Sequence, residues 1–182
     1  MLRLTSLYGF LIMLFTFTSS ASAQELSPPA MKYVMSLTAD LDQPYVIGDR
    51  FIFNVPSGTV EMASGEKGEI LPPAGEWATM YPDGVIKLDV RITIKMEDQS
   101  LLFYTYSGKM LLNETGLSKW QAGELITPED ARFITNPLVR TDSERYGWMN
   151  STVFVGKMVE VQPANDTNKP LYVRYDVYAV EP

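Results

Sequence analysis

Polar and apolar residues alternate without a break from Lys87 to Met96. Lys87, Asp89, Arg91, Thr93 and Lys95 fall on one side, and Leu88, Val90, Ile92, Ile94 and Met96 on the other. A period of two describes a β-strand with two different faces. The polar run Glu97-Asp98-Gln99-Ser100 separates this stretch from a second one, Leu101 to Ser107, and the pair predicts a β-hairpin. A four-residue loop would pair Met96 with Leu101. That register puts Arg91 opposite Tyr106, Thr93 opposite Tyr104 and Ile94 opposite Phe103. One face would then carry Asp89, Arg91, Tyr104 and Tyr106, and a slip of one residue would exchange the faces. Two placements fit that polar face: the wet outside of a sheet, or the lining of a polar cavity inside a barrel.

Similar patterns recur along the chain. Met31 to Leu41 alternates and predicts a half-buried strand, ended by Asp42-Gln43-Pro44. Phe51 to Val55 reads as a strand that Pro56-Ser57-Gly58 interrupts and Thr59 to Met62 resumes, a pattern typical of a bend or bulge. Glu69-Ile70-Leu71 reads as a short strand, Pro72-Pro73-Ala74-Gly75 as a rigid turn, and Glu76 to Met80 as a strand joined to the central hairpin through Tyr81-Pro82-Asp83-Gly84. Asn113 to Ala122 is the one good helix candidate, with Asn113 to cap it and Gly123 to end it. Leu117 and Trp120 on that helix are expected to plug or cover one mouth of the sheet. Ala131 to Leu138 predicts an extended segment. Tyr146 to Val161 predicts a long strand with Tyr146, Trp148, Asn150, Thr152, Phe154 and Gly156 on one face. The last strand, Leu171 to Val180, sets Leu171, Val173, Tyr175 and Val177 against Tyr172, Arg174, Asp176 and Tyr178. About eight to ten short strands and one short helix predict an all-β protein, a single antiparallel up-and-down barrel.

Composition narrows the chemistry. The chain has 182 residues, of which 46% are hydrophobic, enough for one domain with a real core. Residues 1–23 read as a signal peptide: Arg3, the apolar run Leu7 to Phe17, and an Ala21-Ser22-Ala23 cleavage site. The expectation is an exported domain over 24–182, periplasmic or secreted, with no stable membrane insertion after cleavage. The net charge of −7, with no basic cluster, argues against a nucleic-acid partner. The chain holds neither histidine nor cysteine. That excludes zinc sites of the usual ligand types and His-dependent nucleophile systems. There is no D-x-[DN]-x-[DN]-G loop and no glycine-rich phosphate loop, so no metal and no cofactor is expected. Any catalysis would rest on Asp, Glu, Tyr, Lys or Arg.

Four segments together resemble the family described as domain of unknown function 3237. They are Gly48-Asp49-Arg50 leading to Val55-Pro56-Ser57-Gly58; Ile70-Leu71-Pro72-Pro73-Ala74-Gly75-Glu76-Trp77; Asp83-Gly84 leading to Leu88-Asp89-Val90-Arg91; and Tyr146-Gly147-Trp148-Met149-Asn150 leading to Phe154-Val155-Gly156. The resemblance implies a compact antiparallel β-barrel, often a homodimer, and assigns no activity. Phe133-Ile134-Thr135-Asn136-Pro137 departs from the family's F-R-T-x-P run, and the export signal is a second departure, since most members of the family resemble cytoplasmic proteins. The Asp-x-Arg and Trp-x-Asn pairs are family motif positions, which favours the cavity-lining placement. Trp77, Asp89, Arg91, Tyr106, Trp148 and Asn150 would then converge on a small-molecule pocket. Arg91 would hold a ligand carboxylate or carbonyl, and the aromatic rings would supply flat apolar contact. Two alternatives stand beside binding. One is a cofactor-free lyase, isomerase or cyclase with Asp89 as acid/base and Arg91 and Asn150 stabilising an enolate or oxyanion. The other is a structural module of the cell envelope.

Overall fold

The computed structural model describes residues 27–164 and 171–181; the predicted signal peptide lies outside them. Ten strands, one α-helix and one 3₁₀ turn make up the described chain: β1 (Ala30–Leu41), β2 (Tyr45–Ile47), β3 (Arg50–Asn54), β4 (Ser57–Met62), β5 (Lys67–Met80), β6 (Ile86–Met96), β7 (Leu101–Leu112), α1 (Glu114–Ala122), β8 (Ala131–Arg140), the 3₁₀ turn Gly147–Ser151, β9 (Phe154–Gln162) and β10 (Leu171–Glu181). Every ladder is antiparallel. Strands β4 to β10 follow one another around a closed wall, β1 joins β10 to β4, and β5 pairs with β6 to complete the circle. The protein is therefore an eight-stranded up-and-down barrel with β2 and β3 added as an outer hairpin. Closure leaves the eight-stranded wall without a free edge, and β2, paired among the described residues only with β3, keeps one on the outer hairpin.

The long strand β5 shapes one end of the barrel. Its first half pairs with β4 (Thr59 with Glu69) and its second half with β3 (Phe53 with Glu76, Phe51 with Ala78). The segment between Asn54 and Ser57 is where the wall divides, and Pro56 lies in it. Leu71 to Gly75 does not turn the chain, contrary to the sequence-based expectation. It is a bulge in the β5–β6 ladder. Proline has no N–H to give to a ladder, so a bulge is one of the few strand positions it can occupy.

The central hairpin forms, in a register one residue away from the expected one. Lys95 pairs with Leu101, Ile92 with Tyr104 and Val90 with Tyr106. The loop has three residues: the Gln99 N–H donates to the Met96 carbonyl, the Met96 N–H donates to the Ser100 carbonyl, and Gln99 sits at φ 69°. A turn followed by one left-handed residue is the usual three-residue hairpin. The slip exchanges the faces of β7. Tyr104 and Tyr106 enter the core beside Ile92 and Val90, while Asp89 and Arg91 stay outside.

The interior is filled unevenly. At one end Met35, Ile94, Met96, Leu102, Met149 and Phe154 are almost wholly buried and leave no mouth. The 3₁₀ turn closes that end. It replaces the first part of the long strand expected from Tyr146, so Trp148 and Asn150 do not share a strand face with Phe154. Only Tyr146 and Met149, three apart, point inward there. At the other end Leu88, Met110, Phe133, Val161 and Val173 ring a hollow that α1 covers. Asn113 caps α1 by accepting a hydrogen bond from the Gly116 N–H at 2.8 Å, and Gly123 ends it at φ 64°. Lys119 reaches Asp130 at 2.7 Å, and Asn113 Nδ2 donates to the Glu129 carbonyl at 2.8 Å. Only Gly116 of this helix is fully buried, where a side chain would run into the Asp130 carbonyl. The helix is thus tied at its rim rather than embedded in the core.

Candidate functional site

The helix-covered mouth holds a cavity of about 150 Å³. Phe51 and Phe53 of β3, Leu41 of β1, Leu88 of β6, Met110 of β7 and Val173 of β10 line its wall, and Leu117 and Trp120 of α1 lie over it. Glu76 lines it too, the one charged residue among the described residues that does so. Strand alternation on β5 explains its position. Glu76, Ala78 and Met80 all line the cavity, and the residues between them do not. Glu76 stands next to Val90 across the β5–β6 ladder, and Val90 next to Tyr106 across β6–β7, so the three form one interior row.

Glu76 is 8% exposed, and its Oε1 receives no hydrogen bond. Burying a carboxylate without a partner is costly, and the group responds by holding its proton. Removal from water, and secondly the negative charge of Asp89, push the Glu76 carboxyl up to about 7. Behind it stand three stacked tyrosines. The Tyr106 ring lies 6.0 Å from Tyr104 and 5.5 Å from Tyr175, each pair edge to face. Burial holds all three phenols well above their usual range. The Tyr106 and Tyr175 hydroxyls are hydrogen-bonded to each other, while that of Tyr104 is buried with no partner. An unmet buried hydroxyl costs about 1 kcal/mol or more. Tyr104→Phe is therefore expected to raise unfolding free energy by about 1 kcal/mol in a urea titration.

The residues singled out from the sequence do not converge on this cavity. Trp77, Asp89 and Arg91 do come together, but on the outer face of the wall. The Arg91 guanidinium lies 5.3 Å from the centre of the Trp77 ring and 3.3 Å from Asp89. Both side chains of the ion pair are about half exposed, at 52% and 46%, so solvent weakens their attraction. Asp89 is locked to Arg91 rather than facing a cavity. Trp148, 45% exposed, lies at the opposite end of the barrel, 6.1 Å from the Phe154 ring. Asn150 is a staple at that same end. Its Oδ1 accepts from the Thr141 N–H at 3.0 Å, and its Nδ2 donates to the Thr141 carbonyl at 2.9 Å. Of the six, Tyr106 alone faces the interior. The one-residue hairpin slip and the 3₁₀ turn account for these differences. Glu76 is inconspicuous in the sequence because Trp77, beside it, carries the stronger pocket signal. The signal that could have found it is the alternation Glu76, Ala78, Met80, which sets the carboxyl on the apolar side. Among the described residues, no group of three or more Asp or Glu is placed to hold a metal ion.

A closed up-and-down barrel with one sealed end and one helix-covered mouth is the class of protein that these elements define. The chain belongs to the DUF3237 family of proteins of unknown function, whose pattern matches residues 29–180. It is similar to a UPF0311 protein of Clostridium acetobutylicum, 27% identical over 128 residues, which span 67% of this chain and 80% of that one. The crystal structure of a conserved protein of unknown function from Rhodopseudomonas palustris superposes with a TM-score of 0.74 at 23% identity, covering 85% of this chain and 99% of that one. An enzyme from Penicillium herquei superposes at a TM-score of 0.56 and 17% identity, covering 88% and 100%. At these identities the structural matches speak for the fold.

Proposed function

We propose that the protein binds a small, mostly apolar molecule in the helix-covered mouth, with Glu76 as its polar anchor. The observation that carries this reading is a buried carboxyl with an unpartnered oxygen on the wall of an otherwise apolar cavity. Ligand sites commonly combine an apolar lining with very few placed polar groups. A fold retains an unsatisfied buried acid at a cost of a few kcal/mol, and a ligand that completes its hydrogen bonds offsets that cost. An apolar cavity of about 150 Å³ accepts a molecule about the size of benzene. In an exported protein, such a barrel would capture its ligand outside the cytoplasm.

One observation favours a second reading. A carboxyl poised near neutrality suits proton transfer. In a cofactor-free lyase, isomerase or cyclase, Glu76 rather than Asp89 would then take the acid/base role. Native mass spectrometry of protein purified from its own host tests the binding reading. A co-purifying small molecule is expected, and Leu88→Trp, which fills the cavity, should lose it while Arg91→Ala keeps it. Retention of the molecule by folded Leu88→Trp would place binding elsewhere. Conversion of the captured molecule by the wild-type protein, abolished in Glu76→Gln, would favour the enzymatic reading.

A further inference from the structure

Resting on that binding reading, the charge of the mouth says what kind of molecule would complete it. Among the described residues, neither lysine nor arginine lines the cavity, and Glu76 is the single charged group that does. The Arg91 guanidinium, one register pair away from Glu76, lies on the far side of the wall and is occupied by Asp89 and Trp77. Asp89 adds a second negative charge to the field at Glu76, and the chain as a whole carries −7. The tyrosine phenols behind Glu76, Tyr106 and Tyr175, keep their protons throughout the neutral range. Tyr172, also on the lining, engages Glu160 through its hydroxyl at 3.1 Å. No described group on the lining would neutralise a bound anion.

Phe51, Phe53 and Trp120 present aromatic surface around the same opening. Aromatic faces attract a cation, more strongly where water is excluded. We propose that the ligand is a small protonated amine bearing a single ring or a short branched chain, with its ammonium seated on the Glu76 carboxylate and its apolar part against Phe51, Phe53 and Trp120. An ammonium brings up to three donors and no acceptor, which matches an oxygen that lacks a donor. Moving an ammonium out of water is costly by itself. The fold already bears the cost of burying the Glu76 carboxyl, and an ion pair formed with it offsets part of the cost of burying the ammonium. The sign is opposite to that of a ligand held by Arg91.

The test uses three ring compounds of nearly one shape: benzylamine, benzamide and toluene, titrated into the full-length mature protein at pH 8 and followed by NMR. Benzylamine is expected to bind at least tenfold more tightly than the other two. Glu76→Gln should erase that preference while still admitting toluene, with its thermal transition confirming that it is folded. A second measurement needs no variant. The ¹³C resonance of the Glu76 carboxyl, observed at pH 6, should move to its carboxylate position when benzylamine is added. Benzamide or toluene binding as well as benzylamine, or a carboxyl resonance that does not move, overturns the amine proposal. Ring binding that Leu88→Trp removes would leave the pocket reading intact in that case. Failure of all three compounds to bind overturns both.

Discussion

Raising the pH from 5 to 8 is expected to lower the stability of the protein by about 2.5 kcal/mol, and Glu76→Gln is expected to abolish most of that loss. The cause is a single buried group. Glu76 titrates at about 7 in the folded chain against an ordinary value of 4.5. Between those two values the folded protein holds a proton that the unfolded chain has released. Stability must then fall as pH rises through that window, and level off above it. The other strongly shifted groups act elsewhere. Glu66, held low by Ser64 and by hydrogen bonds and charge from Arg145, sits at about 2. Asp130, held low by Lys119 and the Thr127 N–H, and Asp98, held low by Ser100, are also shifted down. Such groups support the fold at neutral pH and withdraw support only in acid, below their unfolded values. Urea denaturation of wild type and Glu76→Gln at pH 5 and pH 8 checks the prediction. Parallel pH profiles for the two proteins would show that Glu76 is not buried as described.

Much of this architecture can be read from alternation alone. The alternation of Met35 to Leu41, the inward set Leu171, Val173, Tyr175 and Val177, and the capped helix from Asn113 to Gly123 all appear as the sequence predicts. What could not be read turns on single residues. Gln99 adopts a left-handed conformation that glycine or asparagine would have announced. With Gln in that place, a three-residue loop and a four-residue loop look alike, and the two choices put Tyr104 and Tyr106 on opposite faces. A bulge between Tyr33 and Met35 similarly leaves Met31 and Tyr33 exposed, although they alternate in phase with the buried Met35. The 3₁₀ turn at Gly147–Ser151 defeats a two-residue period by burying Tyr146 and Met149 at a spacing of three. Asp89, Arg91 and Asn150 stand at motif positions, yet an exposed ion pair and a staple for the 3₁₀ turn explain those side chains without a ligand. The carboxyl facing the cavity sits in the same stretch as Trp77, one residue away.

The unequal filling of the barrel sets the second large effect. Phe154→Ala, at the sealed end, is expected to cost about 3–5 kcal/mol, because its ring is 1% exposed in a closely filled interior that cannot collapse far into the space. Phe53→Ala, at the open end, should cost much less. Its ring already borders a cavity and is partly exposed, so fewer contacts disappear and the enlarged space joins an existing one. The two substitutions remove the same side chain from opposite ends of one barrel, so their ratio measures how differently the ends are packed. Denaturant unfolding of both variants supplies it. A loss at Phe53 equal to that at Phe154 would mean that the mouth is as tightly filled as the base, and a cavity with room for a ligand could not then be maintained there. A small loss at Phe53, together with weaker capture of a ring compound, would show that the rim gives up little stability in keeping the mouth hollow.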